Sequence, residues 1–185
     1  MKKQLGLITA DAPHTAGYAR EVLSHAGLFA SPVSRGDLAT VKEQYSIVLI
    51  SGELDLSDEE REALANFVAQ GGALIAVGGL SGLDALFGVD KAPVPLAVRA
   101  GLGGHPALGE GYIDIRRRQH PVTRELESSL HTFGGVAVRA TQGKPLARMR
   151  DALHRKTDND AIVENRLGQG LALLIAPDLF TSIVH

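Results

Sequence analysis

The sequence predicts an α/β fold, a mainly parallel sheet packed with helices and extended by antiparallel strands in its C-terminal half. The stretch Tyr45–Gly79, YSIVLISGELDLSDEEREALANFVAQGGALIAVGG, reads as strand, helix and strand, the crossover that joins neighbouring parallel strands. The composition points the same way. Of 185 residues 44% are hydrophobic but only 4% aromatic, so the core is built from Ala, Leu, Val and Ile, as in sheets buried on both faces. Beyond residue 111 short alternating segments replace the helical pattern, and Leu167-Gly-Gln-Gly170 between two apolar runs signals a hairpin.

Taken in order, Leu5–Ala10 is the first strand, Asp11–Thr15 the loop after it, and Ala16–Ala26 an amphipathic helix with Tyr18, Val22 and Leu23 inward, closed by Gly27. Phe29–Val33 is a weak strand, its Pro32 suited to an edge. Asp37–Lys42 is a short helix leading into the crossover. There Ser46–Ile50 is a buried strand, and Ser57-x-x-Glu60 has the spacing of a capping box ahead of Leu64, Phe67 and Val68. Gly71 and Gly72 end that helix, and Ala73–Val77 resumes the sheet. Leu80–Gly88 holds one or two helical turns. Residues 89–111, with three prolines and many glycines, read as an irregular excursion. Tyr112–Arg116, Gly135–Thr141, Pro145–Met149, Ala161–Arg166 and Leu171–Ala176 are strands, and His120–Thr123 enters a turn or short helix ending near Leu130.

Several function classes are excluded or disfavoured at once. A formal net charge of −2, with Arg116–Arg118 the only basic run, argues against a nucleic-acid surface. No cysteine is present, so there is no disulfide, thiolate metal site or thiol nucleophile. The N-terminal apolar run breaks at Asp11, short of a signal sequence, and no stretch approaches a membrane span. Cytoplasmic residence is expected. Length fits one domain over 1–185. The apolar ending Asp178–His185 raises the expectation that this is the N-terminal part of a longer protein, cut within a helix.

Three segments together carry a family resemblance. They are Glu62-Ala-Leu64 with Asn66-Phe-Val-Ala-Gln-Gly-Gly-Ala-Leu-Ile75, His120-Pro-Val-Thr123 followed by Leu126, and Ala161-Ile-Val-Glu-Asn-Arg-Leu-Gly-Gln-Gly170 before Asp178. In this order and spacing the chain resembles the class I glutamine-amidotransferase-like superfamily, in its divergent branch with the trehalose-utilisation family and the trimerisation domain of some β-galactosidases. The resemblance implies a flavodoxin-like, doubly wound sheet with helices on both faces. Working amidotransferases of that superfamily place a cysteine at the turn after the strand matching Ala73–Val77. Here that turn holds Gly78 and Gly79, so glutamine hydrolysis by the family mechanism is excluded.

Doubly wound sheets bind ligands outside the carboxyl ends of their strands. The loops lining that crevice offer Asp11, His14 and Thr15, then Ser51, Gly52 and Glu53, then Gly78, Gly79 and Ser81. Asp11 and His14 have the chemistry of a base with its orienter or of two metal ligands, against a plain reading in which Asp11 and Thr15 cap the first helix. Glu53 matches the location, not the chemistry, of the family's oxyanion loop. Ser81 is the substitute nucleophile, but Gly79-Leu-Ser-Gly-Leu83 lacks the last glycine of a nucleophile elbow and also suits a helix cap. His105, His120, His131 and Asp114 have no compact metal-binding spacing, and Gly101–Gly104 lacks the Lys-Ser/Thr of a phosphate loop. No metal and no cofactor is expected. The expected function is a non-catalytic assembly or ligand-binding module of a carbohydrate-active protein, homo-oligomeric or fused, with a small sugar-like ligand. The alternative is a hydrolase or isomerase acting on a sugar-like substrate with Asp11, His14 and Glu53.

Overall fold

Ser57 starts the central helix by the device its spacing predicts. Its Oγ accepts the Glu60 N–H (3.3 Å) and the Glu60 carboxylate accepts the Ser57 N–H (2.7 Å), a closed capping box. The computed structural model describes residues 3–10, 13–93, 109–126 and 129–184. In chain order it contains β1 (Lys3–Thr9), α1 (Pro13–His25), β2 (Ser31–Pro32), a 3-10 turn over Arg35–Thr40, α2 (Val41–Gln44), β3 (Tyr45–Ser51), α3 (Asp58–Ala69), β4 (Ala73–Val77) and α4 (Asp84–Phe87). There follow β5 (Val89–Lys91), β6 (Gly111–Ile115), β7 (Leu130–Gly135), β8 (Val138–Ala140), β9 (Lys144–Asp151), β10 (Lys156–Leu167), β11 (Gly170–Ile175), β12 (Pro177–Asp178) and α5 (Leu179–Val184). None of the described helices is long and apolar enough to cross a membrane.

The architecture is mixed α/β around one large, mostly open sheet. Its path runs β12-β7-β6-β9-β10-β11-β4-β3-β1-β2, with β8 also pairing β10 and β5 pairing β8. From β11 to β2 every pairing is parallel, and from β11 back to β12 every pairing is antiparallel. The sequence alternation inside β3 sorts its residues to the two faces. Val48 and Ile50 join Leu64, Phe67, Val68 and Leu74 under α3. Leu49 faces the other way, with Leu7, Val77, Ala19 and Leu23 of α1 and Phe180 of α5. Leu64 and Val68 are fully buried and Phe67 is 2% exposed, so each large side chain contributes roughly 1.5–3 kcal/mol through removal of apolar surface from water. A separate cluster of Ile113, Leu146, Met149 and Ala161 fills the antiparallel half.

The hairpin between β10 and β11 docks on the end of α3, where Gln169 N–H reaches the Ala69 carbonyl (3.0 Å). A Cβ on Gly170 would lie 1.9 Å from the Val68 carbonyl oxygen, so only glycine lets the two backbones approach this closely.

The elements depart from the sequence reading in several places. Helix α1 begins at Pro13, which fits the first helical position because its missing N–H has no partner to lose there, so His14 and Thr15 are helical rather than loop residues. Strand β2 is only two residues long, at the edge where Pro32 costs no ladder bond. Residues Val89–Lys91, at the start of the expected excursion, form β5 by pairing with β8; residues 94–108 lie outside the description. The strand expected over Gly135–Thr141 is divided between β7 and β8, with Gly134 and Gly135 at φ 66° and 98° forming the bend. β10 is twice as long as the apolar run Ala161–Arg166 that marks it, and register shifts against β9 accommodate its polar start.

Candidate functional site

The register sets the ends of four parallel strands level. Thr9 pairs with Ser51, Ser51 with Val77, and Val77 with Ile175. The ladder continues one step past the strands, through Ala10 N–H to Ser51 O (3.1 Å), Gly52 N–H to Val77 O (2.9 Å) and Gly78 N–H to Ile175 O (2.9 Å). The chain therefore leaves β1, β3, β4 and β11 along one rim, the place where open parallel sheets hold ligands.

At this rim the loops after β3 and β4 are fastened to each other. The Glu53 carboxylate accepts the backbone N–H groups of Leu80 (2.7 Å) and Ser81 (3.0 Å), one on each oxygen. Ser81 Oγ returns the contact by accepting the Leu54 N–H (3.0 Å). Ser81 is 2% exposed and sits at φ 54°, a left-handed backbone uncommon outside glycine. Gly79 makes the approach possible. A Cβ there would stand 2.3 Å from the Gly52 carbonyl oxygen and 2.7 Å from the Glu53 nitrogen, both backbone atoms.

The chemistry follows from these partners. Two consecutive backbone N–H groups at a tight turn form an anion-holding pair, the arrangement an oxyanion hole uses. Here Glu53 occupies both. Ser81 has the strained backbone of a nucleophile turn, but its buried Oγ is committed to the Leu54 amide, and no described histidine or carboxylate side chain bonds it. Nor is Ser81 a helix cap: α4 starts after Leu83 without any side-chain cap bond. Ser51, 2% exposed, closes β3, and Gly52 turns the chain at φ 85°. Gly78 packs against Asp178, whose carboxylate accepts both the N–H (3.1 Å) and the hydroxyl (2.6 Å) of Thr181 and so caps α5. Asp11 lies outside the described residues, as do the side chains of His14 and Thr15.

The other sequence candidates are dispersed. His120 Nε2 meets Glu164 (3.1 Å), His131 Nε2 meets Glu110 (2.9 Å), and Asp114 is paired with Arg150 (2.9 Å) and Arg116 (3.3 Å). Among the described residues no group of three or more His, Asp or Glu is placed to hold a metal ion. His105 and Gly101–Gly104 are outside the description. The sequence reading missed the His120–Glu164 pair. Its only signal was an acid inside the apolar run Ala161-Ile-Val-Glu164, where a charge needs a partner.

No family model matches the chain, and no curated protein matches it in sequence. Solved structures do match in fold. A β-galactosidase from Bacillus circulans sp. alkalophilus superimposes with a TM-score of 0.70 at 14% identity, over 99% of this chain and 30% of that one. A cytoplasmic protein from Salmonella typhimurium LT2 gives 0.67 at 12% identity, over 95% of this chain and 88% of that one. A ThuA-like protein from Parabacteroides merdae gives 0.61 at 14% identity, over 95% and 79%. The chain thus spans less than a third of the β-galactosidase chain but most of the other two. At these identities the likeness is one of fold.

Proposed function

We propose that this chain is one non-catalytic domain over 1–185, of the glutamine-amidotransferase-like type, serving as an assembly or ligand-binding module of a carbohydrate-active protein. One observation carries the reading. At the turn after β4, where an amidotransferase needs its nucleophile, the chain has Gly78-Gly79, and the anion-holding amides beyond them are filled by its own Glu53. The parallel order β2-β1-β3-β4-β11 supports a flavodoxin-like sheet, whose switch point falls between β1 and β3. The β-galactosidase neighbour, of whose chain this domain matches 30%, supports a role beside a catalytic domain, fused or assembled. Residence in the cytoplasm accords with the description of the Salmonella neighbour.

The competing reading, a hydrolase or isomerase on a sugar-like substrate, asks Glu53 to act on a ligand while each of its oxygens holds a backbone amide. The deciding experiment measures the mass of the purified chain by light scattering and its turnover of a panel of nitrophenyl glycosides and free aldoses. We expect an oligomer, or a monomer that associates with a glycosidase domain, and no turnover. Turnover that is lost in both His14→Ala and Glu53→Gln overturns the proposal.

A further inference from the structure

A second site lies in the antiparallel half. The loop after β6 carries Arg116, Arg117 and Arg118, which together with Lys144 and His120 line an open cavity of about 430 Å³. No acidic residue is in that lining. The volume is within the range of small-molecule sites, roughly 300–1,000 Å³.

The loop is held rather than loose. The N–H groups of Arg116 and Arg117 both donate to the Leu146 carbonyl (2.9 and 3.1 Å). The hydroxyl of Thr123, a fully buried residue, donates to the Arg117 carbonyl, and His120 N–H donates to the same oxygen (3.0 Å). His120 in turn is tied through Nε2 to Glu164 of β10, whose side chain is 7% exposed, while its Nδ1 accepts the Val122 N–H (3.3 Å). The motif His120-Pro-Val-Thr123 is thus the clamp that fixes the arginine loop. Arg116 leans on Asp114 (3.3 Å), whereas the side chains of Arg117 and Lys144 have no ion pair among the described residues. Arg117 and Lys144 thus bring two positive charges to the cavity wall without an ion pair of their own, and a bound anion would pair with both.

We propose that this cavity binds the phosphate group of a small phosphorylated molecule. Arginine forks match phosphate oxygens in pairs, and a pre-fixed loop avoids the ordering cost of assembling them. Arg117 and Lys144 are the two groups with the most to contribute, because neither must leave an existing partner. The inference stands on the cavity alone and does not depend on the reading of the strand-end rim.

The test is calorimetric titration of the intact chain with orthophosphate, glucose 6-phosphate and unphosphorylated glucose, each at constant ionic strength set with sodium chloride. Saturable binding of either phosphate, with none of glucose, is expected. A tighter fit of glucose 6-phosphate identifies a phosphate ester as the occupant, and equal affinities identify free phosphate. The double variant Arg117→Ser, Lys144→Ser should weaken binding about ten-fold or more, since it removes two charge-assisted contacts. The charge-matched control Arg124→Ser, Arg139→Ser alters exposed arginines outside the cavity and should leave affinity unchanged. All four side chains are on the surface, and thermal melts verify that both variants fold. Absence of saturable phosphate binding overturns the proposal. So do equal losses in the two double variants, or an RNA oligonucleotide that displaces the phosphate ester at lower concentration.

Discussion

Glu53→Gln tests the fastening of the rim. In the native chain one carboxylate accepts two backbone N–H groups at 2.7 and 3.0 Å. Glutamine has the same length but only one acceptor atom, and its amide nitrogen would face an N–H group, donor against donor. One backbone donor of a buried residue, Leu80 or Ser81, is then left without its partner. Hydrogen bonds to charged groups contribute roughly 1.5–3 kcal/mol each when protected, and the exposure of Glu53 lets water replace part of that. The one bond lost costs about 1 kcal/mol and the donor-against-donor contact about as much again, so about 2 kcal/mol in total is the expected loss of stability. For a chain of this size this is about 4–8 °C in Tm. Glu53→Ala, which removes the acceptor but adds no opposing donor, should cost no more than Glu53→Gln. Urea denaturation followed by circular dichroism reads both. If Glu53→Gln lies within 0.5 kcal/mol of the parent, the carboxylate does not hold the loops and the reasoning fails.

The neighbouring positions give further expectations. Gly79→Ala forces a Cβ into two backbone atoms of the adjoining loop and should destabilise by more than about 3 kcal/mol; a near-neutral denaturation midpoint would contradict the close approach. Ser81→Ala loses the acceptor for the Leu54 N–H and should cost about 2 kcal/mol, while Ser81→Gly, relieved of the left-handed backbone, should be less destabilised by about 1 kcal/mol. The Glu60 carboxyl is held down to about 2, first by the Arg35 guanidinium and then by the Ser57 N–H. A depressed acid stabilises the fold above its ordinary value of 4.5, and that contribution disappears as pH falls from there toward 2. Because Arg35 is 45% exposed, screening reduces it to about 1 kcal/mol. Acid titration of Glu60→Gln should show a correspondingly flatter loss of stability; a curve parallel to the parent would contradict the pairing.

The parts of the fold legible in the sequence are those whose causes are local. Ser57, Glu60 and the glycines after α3 lie within a few residues of the helix they begin and end, so the crossover could be read directly. Strand β5 could not. Val89 is a strand residue because Ala140 pairs with it, some fifty residues away, and nothing near Val89 announces that partner. The same holds at the rim. The loop positions of Glu53 and Ser81 were legible, but the bonds joining them span 28 residues, and without them Glu53 reads as a free acid and Ser81 as a cap. Arg116–Arg118 are visible in the sequence as a basic run, but Lys144, which faces the same cavity, comes from a separate strand, β9.

The contact between Glu53 and the Leu80–Ser81 amides can also be viewed as a tethered ligand in competition with free ones. A group held beside its binding place by the same folded chain acts at an effective concentration of millimolar or higher. A free carboxylate or phosphate of equal intrinsic affinity would have to reach a similar concentration to occupy half the molecules. The chain thereby keeps an anion-holding turn in its sheet while leaving it unavailable to solutes at ordinary cellular levels. One substitution that shortens the tether would open it.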